Sequence, residues 1–253
     1  MNPLIAIDLG NTFTHLTVVG EGGEPVFSLR RPTPKRVTSD WAERFVRRIE
    51  APPACRSIVA SVVPRLNPSL AAALLSRFAS TPHFVTWQSA AGIDWQIPTP
   101  QTLGADRVCA VAGALTLRPP PLLVVDGGTA VTIDVLAEGP AYLGGAILPG
   151  IRAQFRALAL TTAQLRGIPI AIPQSPLGQT THANVQAGVL YGLAGGLGTL
   201  IAAYRERLGA AVPVIATGGG IAPLVPLLPP PVFPVPDLVL KGLLRIAAQE
   251  LVP

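Results

Sequence analysis

The sequence predicts an α/β protein built from two similar halves around a cleft. The stretch "LIAIDLGNTFTHLTVV", from residue 4, is an apolar run that ends in an aspartate and a glycine turn before the apolar pattern resumes. The stretch "LLVVDGGTAVTIDVL", from residue 122, repeats this arrangement. Prolines at 119–121 separate the two stretches and mark a hinge. We therefore expect halves at 1–118 and 122–253, with a ligand in the cleft that they form.

The first half begins with a predicted hairpin meander. Strands at 4–8 and 13–19 flank the first turn, and "EGGEPVFSLRRPT" adds a third strand after another glycine turn. Apolar residues at helical spacing predict an amphipathic helix in "SDWAERFVRRIE". The other predicted elements are a strand in "SIVASVVP", a helix in "NPSLAAALLSRFA", a strand in "HFVTW", and a helix in "ADRVCAVAGALTL" directly behind Gly104.

The second half restarts with the same meander. Its first predicted strand is at 122–126, a return strand follows the glycine turn and continues through 134, and "AYLGGAILPGI" contains the third. Helices are predicted at 151–159, 183–208 and 238–251, and "VPVIATGGG" is a strand that enters a triple-glycine turn. The proline-rich stretch "LLPPPVFPVP" is predicted to be an extended loop or an edge strand, because proline is excluded from central strands.

The composition indicates a folded protein of a reducing compartment. Apolar residues make up 49% of the chain and charged residues 13%, which allows a large core. Cys55 and Cys109 are the only cysteines, too few for a disulfide scaffold or a zinc cluster. The first residues resemble a strand and not a signal peptide. We expect a cytoplasmic protein.

The net charge of +5 raises the question of a nucleic-acid partner. Basic residues do cluster in the first half, but acidic residues interrupt them and no series of aromatic residues accompanies them. A solvated surface is therefore favoured, and we expect no nucleic-acid partner. The cluster consists of Arg30, Arg31, Lys35, Arg36, Arg44, Arg47 and Arg48.

The predicted helix at 183–208 is apolar enough to raise the question of a membrane span. "VQAGVLYGLAGGLGTLIAAY" has the required length, and its glycines have G-x-x-x-G spacing. However, alanine and glycine supply most of its apolar content, and polar residues are scattered through it. A buried or interface helix is favoured, and no membrane association is expected.

The two aspartate–glycine turns are candidate phosphate-binding loops. In Asp8-Leu9-Gly10-Asn11-Thr12, a strand-end carboxylate could face a hydrated divalent cation, while the turn offers side-chain and backbone donors to phosphate oxygens. The run 126–130 repeats this chemistry, and the glycines at 218–220 could complete it. Neither turn matches a P-loop or a Rossmann motif. An ordinary hairpin turn with a capping aspartate is the alternative for either stretch alone.

The stretch "LGADRV" places Asp106 and Arg107 in the first turn of a predicted helix. A helix N-terminus favours anions, and an arginine there can hold a carboxylate. The aspartate could accept a proton from a hydroxyl, as a kinase with an alcohol acceptor requires. The alternative is a helix-capping aspartate beside a surface arginine.

Taken together, these motifs resemble the type III pantothenate kinases. The family's Asp-x-Gly-Asn-Thr loop is matched at 8–12, its Gly-x-Asp-Arg motif at 104–107, and its Asp-x-Gly-Thr-Ala loop at 126–130. "SVVP", "YLGGAILPGI", "NVQAGVLYG", "VIATGGGIAPL" and "PDLVLKGL" resemble further family segments in the same order. The resemblance therefore spans nearly the whole chain.

The resemblance implies an actin-like, ribonuclease-H-like kinase fold and the ATP-dependent phosphorylation of pantothenate, the first step toward coenzyme A. It also implies a homodimer, Mg²⁺ near Asp8, and a monovalent cation, K⁺ or NH₄⁺, at Asp126. Asp106 would be the general base. The implied ATP-binding residues are Asp8, Leu9, Gly10, Asn11, Thr12, Phe13, Thr14, His15 and Thr129. The implied pantothenate-binding residues are Gly104, Ala105, Asp106, Arg107 and Thr181.

The chain departs from the family pattern at two positions. Ile97 stands where family members usually have a pocket tyrosine, and Val131 stands where many have threonine. We hypothesise that Trp95 covers the face of the pocket that the tyrosine would line. The alternative function is a nucleotide-binding regulatory or accessory protein of the same fold, without kinase turnover.

Overall fold

The computed structural model describes residues 3–36 and 40–250, and the chain divides into two compact units. The first unit contains the chain up to Ile93, Pro98–Leu117, and the segment from Leu238 onward. The second contains Asp94–Ile97 and Arg118–Asp237. The chain passes from the first unit to the second after Leu117, close to the predicted proline hinge. Two segments, however, belong to the opposite unit from the one that the predicted ranges 1–118 and 122–253 assign to them.

The first unit contains a five-stranded sheet. Its strands are β1 (Leu4–Leu9), β2 (Phe13–Val19), β3 (Pro25–Pro32), β4 (Arg56–Ser61) and β5 (His83–Phe84), in the order β3-β2-β1-β4-β5. The predicted meander is confirmed: β1 pairs antiparallel with β2, and β2 with β3. Strand β4 then pairs parallel with β1, so the carboxyl ends of these two central strands lie at the same edge.

The second unit repeats this sheet. Its strands are β6 (Asp94–Trp95), β7 (Leu122–Gly127), β8 (Ala130–Ala137), β9 (Ala141–Pro149), β10 (Val214–Thr217) and β11 (Val232–Pro234). Their order is β11-β10-β7-β8-β9-β6, with β7 antiparallel to β8 and parallel to β10. Apart from β6, this is the order of the first sheet in reverse, so the predicted duplication is confirmed. The proline-rich stretch forms the edge strand β11, as predicted.

Six α-helices accompany the sheets in the described residues: α1 (Trp41–Val46), α2 (Asn67–Phe78), α3 (Ala105–Ala114), α4 (Ile151–Thr161), α5 (Thr181–Leu208) and α6 (Leu238–Glu250). Each corresponds to a predicted helix. Helix α1 is shorter than its apolar periodicity suggests, and β5 is shorter than the predicted strand at 83–87. The predicted end of the last helix at Leu251 lies outside the described residues.

Two segments depart from the predicted halves for identifiable reasons. Helix α6 packs against α3, where glycines bring the backbones together: a Cβ on Gly113 would lie 3.0 Å from the nitrogen of Gly242. A Cβ on Gly242 would in turn meet the backbone of Cys109. The other segment contains β6, which pairs with β9 at the edge of the second sheet. Sequence order alone therefore misassigns both.

Helix α5 supplies much of the core of the second unit. Its side chains at 189, 193, 197 and 201 form a buried stripe that packs with residues of β7, β8 and β10. The helix passes the length and hydropathy requirements for a membrane span, as the sequence suggested, with 39% of its most apolar window buried. The buried stripe agrees with the prediction of a core helix.

Candidate functional site

The first candidate phosphate loop connects β1 to β2. Asp8 lies near the end of β1, opposite His15 of β2. The N–H of Gly10 donates to the carbonyl oxygen of Phe13 at 3.1 Å, which closes a tight turn. The side chains of Asn11 and Thr12, at the tip of this turn, are exposed. The tip of the loop therefore presents polar side chains to solvent, where a ligand can reach them.

A positively charged side chain, that of Arg30, lies beside this loop. The guanidinium of Arg30 stacks over the ring of Phe13, 3.9 Å from its centroid. Because Arg30 is on β3 opposite His15, the sheet register fixes its position relative to the loop. A guanidinium held here favours the approach of an anion. Sequence pattern alone groups Arg30 with a solvated basic cluster, because its contact with Phe13 depends on strand pairing.

The second element of the candidate site is the start of α3. Gly104 precedes the helix in an extended conformation, and Asp106 and Arg107 occupy its first turn, as predicted. The N–H of Arg107 donates to Oδ1 of Asp106 at 2.8 Å. Burial raises the pKa of the Asp106 carboxyl, and this hydrogen bond and the charge of Arg107 offset only part of the rise. A carboxylate with a raised pKa is a better proton acceptor.

The first unit brings the first loop and the start of α3 close to each other. The N–H of Val62, just beyond β4, donates to the carbonyl oxygen of Leu9 at 3.1 Å. The side chain of Val62 also lies 3.5 Å from where a Cβ of Gly104 would stand. Burial raises the pKa of the Cys109 thiol, and the charges of Asp8 and Asp106 raise it further, so both carboxylates lie within electrostatic range of one buried group.

The second candidate loop connects β7 to β8 and is enclosed by glycine backbone. The N–H of Gly128 donates to the carbonyl oxygen of Ala130 at 2.9 Å. The N–H of Gly220 donates to the carbonyl oxygen of Gly127 at 2.7 Å, which joins the loop to the glycine turn after β10. Gly218, with a φ of +91°, lies so close to Oδ1 of Asp126 that a Cβ would clash with it.

A buried carboxylate lies two residues beyond the strand partner of Asp126. Asp134 on β8 is fully buried and accepts a hydrogen bond from the hydroxyl of Tyr142 at 2.7 Å. The ring of Trp95 on β6 packs against Tyr142, with the centroids 5.0 Å apart. Ile97 follows on the same edge and lies against Gly144. No sequence pattern predicts this cluster around Tyr142, because it depends on the pairing of β6 with β9.

The predicted site residues thus fall in two groups, one in each unit. Residues 8–15 and 104–107 lie in the first unit, and Asp126, Thr129 and Thr181 lie in the second. Thr129 is exposed at the tip of the second loop. Thr181 is exposed in the first turn of α5, whose N-cap is Thr180.

Comparison with known proteins decides the family. The family model described as type III pantothenate kinase matches residues 4–203. The chain belongs to the type III pantothenate kinase family. The resemblance inferred from the motifs is thereby confirmed.

Named relatives cover nearly the full length of the chain. A type III pantothenate kinase from Salinispora arenicola is 36% identical over 88% of this chain and 89% of its own. One from Dehalococcoides mccartyi is 33% identical, with 97% of each chain covered. Among solved structures, an inorganic polyphosphate/ATP-glucomannokinase from Arthrobacter is 18% identical with a TM-score of 0.52, covering 98% of this chain and 99% of that one. This likeness shows the fold, and the predicted actin-like kinase architecture is confirmed.

Proposed function

We propose that this chain transfers the γ-phosphoryl group of ATP to the primary hydroxyl of pantothenate. One observation carries the proposal: Val62 joins the turn after Asp8 to the start of α3, because its N–H donates to the carbonyl oxygen of Leu9 at 3.1 Å and its side chain lies 3.5 Å from where a Cβ of Gly104 would stand. Membership of the type III pantothenate kinase family supports it, as do relatives of that name over most of the chain. ATP is the co-substrate that this family membership supports.

Asp106 is the proposed general base. The hydroxyl oxygen of pantothenate attacks the γ-phosphorus, the bond between that phosphorus and the β,γ-bridging oxygen breaks, and ADP leaves with the bridging oxygen. The hydroxyl proton passes to the Asp106 carboxylate. Its raised pKa suits this role, because a more basic carboxylate takes the proton more readily. The Arg107 N–H at 2.8 Å orients the carboxylate.

Phosphate binding is assigned to the two loops. Residues 8–15 and Thr129 would bind the phosphates of ATP. The exposed side chains of Asn11 and Thr12 and the guanidinium of Arg30 beside Phe13 support this assignment for the first loop. For the second loop, the support is the close approach of glycine backbone to Asp126, since a Cβ on Gly218 would clash with Oδ1 of Asp126.

Two cations fit the carboxylates present. No cluster of three or more His, Cys, Asp or Glu that could hold a metal ion is found in the part of the chain that the structure describes. Mg²⁺ commonly binds through one or two carboxylates together with substrate phosphates, which suits Asp8. Asp126, beside the backbone carbonyl of Gly127 and next to Gly218, offers oxygen ligands for K⁺ or NH₄⁺. When bound, these cations would neutralise phosphate charge.

Pantothenate would be held by Gly104, Ala105, Arg107 and Thr181, with the Arg107 guanidinium binding its carboxylate. Trp95 is proposed to line the face of the pantothenate pocket next to Ile97. Trp95 packs on the ring of Tyr142, and Ile97, two residues later, lies against Gly144 of the same strand.

The Trp95 hypothesis predicts a specific kinetic effect. Trp95→Ala should raise the KM for pantothenate several-fold and leave the KM for ATP unchanged, since the substitution removes contact area from one substrate only. Trp41→Ala is a matched control for the loss of a half-buried tryptophan, because Trp41 stacks on Phe45 of α1 and packs against the first unit's core. An unchanged pantothenate KM in Trp95→Ala would dismiss the hypothesis.

We also propose a cytoplasmic homodimer. One face of α5 supports the dimer: Gly188, Gly192 and Gly195 are exposed, and a Cβ on any of them would meet no other element of the described structure within 4 Å. Such a face permits close approach of another helix. The exposed apolar side chains of Leu160, Ile172 and Leu177 provide further surface to cover. Light scattering should give twice the chain mass of 26.2 kDa, and a mass of one chain would contradict the proposal.

Coupled measurement of ADP release tests the proposed reaction. Purified protein with ATP and Mg²⁺ should release ADP only when pantothenate is added, and faster in K⁺ than in Na⁺ at equal ionic strength. Asp106→Asn should abolish most of this release, while Asp94→Asn, a change at an exposed aspartate, should not. Release that does not depend on pantothenate would reject the proposed acceptor.

A further inference from the structure

A buried threonine that belongs to neither phosphate loop is hydrogen-bonded to the first of them. Thr33 directly follows β3, and its side chain is 6% exposed. It lies among exposed neighbours: Arg31, Pro32 and Lys35 are all on the surface. A lone hydroxyl that turns inward in such a segment indicates a specific partner.

That partner is the loop itself. The hydroxyl of Thr33 donates to the carbonyl oxygen of Gly10 at 2.7 Å. It also lies 2.9 Å from the hydroxyl of Thr14, which is fully buried. A threonine hydroxyl has one proton to donate, so Thr14 is the donor in this second bond. The backbone N–H of Thr33 adds a third bond, to the carbonyl oxygen of Thr12 at 2.9 Å.

These bonds fix the direction of a peptide group in the loop. In a trans peptide, the carbonyl and the following N–H point in opposite directions. Because the carbonyl of Gly10 points to Thr33, the N–H of Asn11 must point away from it. A loop held in one peptide orientation before binding loses less conformational freedom when an anion is bound.

We propose that Thr33 is a positioning residue that holds the first phosphate loop in its nucleotide-binding conformation. It acts through Gly10, Thr12 and Thr14 and need not touch the nucleotide. The inference rests on the proposed function, because it assumes that this loop binds the phosphates of ATP. It extends that function by assigning the organisation of the loop to one residue just beyond β3, chiefly through its hydroxyl.

Two substitutions separate the hydroxyl from the shape of the side chain. Thr33→Val removes the hydroxyl and keeps the branched shape, and Thr33→Ser keeps the hydroxyl. Thr17→Val is the matched control: Thr17 is also nearly buried and also hydrogen-bonds across β2 and β3, to Ser28 at 3.2 Å, but it lies away from the loop. Thr14→Val removes only one of the Thr33 bonds.

The expected pattern is confined to ATP. In Thr33→Val, the ATP Kd from calorimetry and the KM for ATP should rise about tenfold. The reason is that the loop loses two hydrogen bonds that hold it in the binding conformation. The KM for pantothenate at saturating ATP should stay unchanged. Thr33→Ser should restore both ATP constants, and Thr17→Val should leave them at the wild-type values. Amide hydrogen exchange of a peptide spanning residues 9–13 should accelerate in Thr33→Val and not in Thr17→Val.

Each outcome decides the matter. If wild-type protein does not bind ATP, the proposed function fails and the inference fails with it. If the wild type binds ATP and Thr33→Val binds it equally well, with unchanged hydrogen exchange, only the inference fails. If Thr33→Val does not fold, Thr14→Val is measured in its place, with amide hydrogen exchange of residues 9–13 without ATP as the deciding readout, because Thr14 itself is among the residues assigned to ATP. Faster exchange in Thr14→Val then supports the inference, and unchanged exchange overturns it.

Discussion

The two candidate phosphate loops have the same backbone plan but are held by different chemistry. Each begins at a strand-end aspartate, turns through glycine, and is closed by one backbone hydrogen bond, from Gly10 to Phe13 and from Gly128 to Ala130. In each loop, a backbone carbonyl also accepts from the residue that follows the third strand of the meander. Thr33 is the donor in the first unit, at 2.9 Å. Gly150 is the donor in the second, at 3.1 Å.

The difference lies in what fills the space behind each loop. In the first unit, the Thr33 and Thr14 hydroxyls occupy it. In the second, it is filled by backbone: a Cβ on Gly150 would lie 2.5 Å from the carbonyl oxygen of Gly128 and 2.6 Å from that of Thr129. The duplication therefore preserved the hydrogen-bonding plan of the backbone and not the side chains. The first loop should respond to the loss of single hydroxyls, and the second to the addition of single methyl groups.

The largest effect is expected from the loss of the proposed base. It tests whether proton transfer by Asp106 is separate from phosphate binding by the loops. Asp106→Asn should lower kcat about 10²- to 10⁴-fold, because the amide cannot accept the hydroxyl proton. ATP binding should persist, with a Kd close to the wild-type value. Steady-state kinetics and calorimetry give the two quantities separately. Loss of ATP binding in this variant would show that Asp106 is also needed for ATP binding, and would contradict the separation of the two roles.

The same residue gives a pH prediction. The active form of the base is the carboxylate, so kcat/KM should fall as the pH decreases through the pKa of Asp106, at a higher pH than for an ordinary aspartate. The sign for stability is opposite. Because the folded-state pKa is raised, the protonated form stabilises the fold at low pH, and this contribution is lost as the pH rises through that pKa. Asp106→Asn should therefore melt no lower than the wild type at neutral pH, and a clearly lower melting temperature would contradict this.

The next effect tests the close packing of the second loop. A Cβ on Gly127 would lie 2.7 Å from the nitrogen of Ile221 and 3.0 Å from the carbonyl carbon of Gly220, so backbone would have to move. Gly127→Ala should cost about 1–3 kcal/mol of stability, as overpacking commonly does. Gly128→Ala is the control, because its Cβ would meet the Ala130 oxygen at an ordinary 3.5 Å. Equal melting temperatures for the two variants would refute the proposed tight packing.

The smallest effect is expected from a methyl group in the first loop. A Cβ on Gly10 would lie 3.0 Å from the carbonyl oxygen of Phe13, and apart from its chain neighbours no other atom of the described residues is within 4 Å. Gly10→Ala should therefore destabilise the fold by less than Gly127→Ala, by about 1 kcal/mol or below. Thermal unfolding of both variants in one buffer provides the comparison. A larger loss in Gly10→Ala would reverse the distinction between the loops.

The sequence predicted what depends on local pattern. The meanders, both loops and the start of α3 behind Gly104 follow from alternating apolar residues and from glycine and aspartate at strand ends. The shortness of β5 was missed because Thr86 and Ser89 form a capping box that starts a 3₁₀ turn inside the predicted strand. That turn competes with the extended pattern through side-chain hydrogen bonds.

The remaining features depend on contacts between distant segments. The place of α6 is set by backbone contact between Gly113 and Gly242, and glycine in a helix is no guide to its partner. Thr33 stands alone between two prolines, with no periodic pattern to mark it as buried. Its role became visible only when the fold placed it next to Gly10.

The most direct test is to identify the product. Wild-type protein should be incubated with ATP, Mg²⁺, K⁺ and pantothenate, and the mixture analysed by mass spectrometry and ³¹P NMR, with Asp106→Asn in parallel. We predict one phosphomonoester of pantothenate, formed in equal amount to ADP and nearly absent with Asp106→Asn. Release of ADP with inorganic phosphate and unmodified pantothenate, or as much product from Asp106→Asn as from the wild type, would contradict the account.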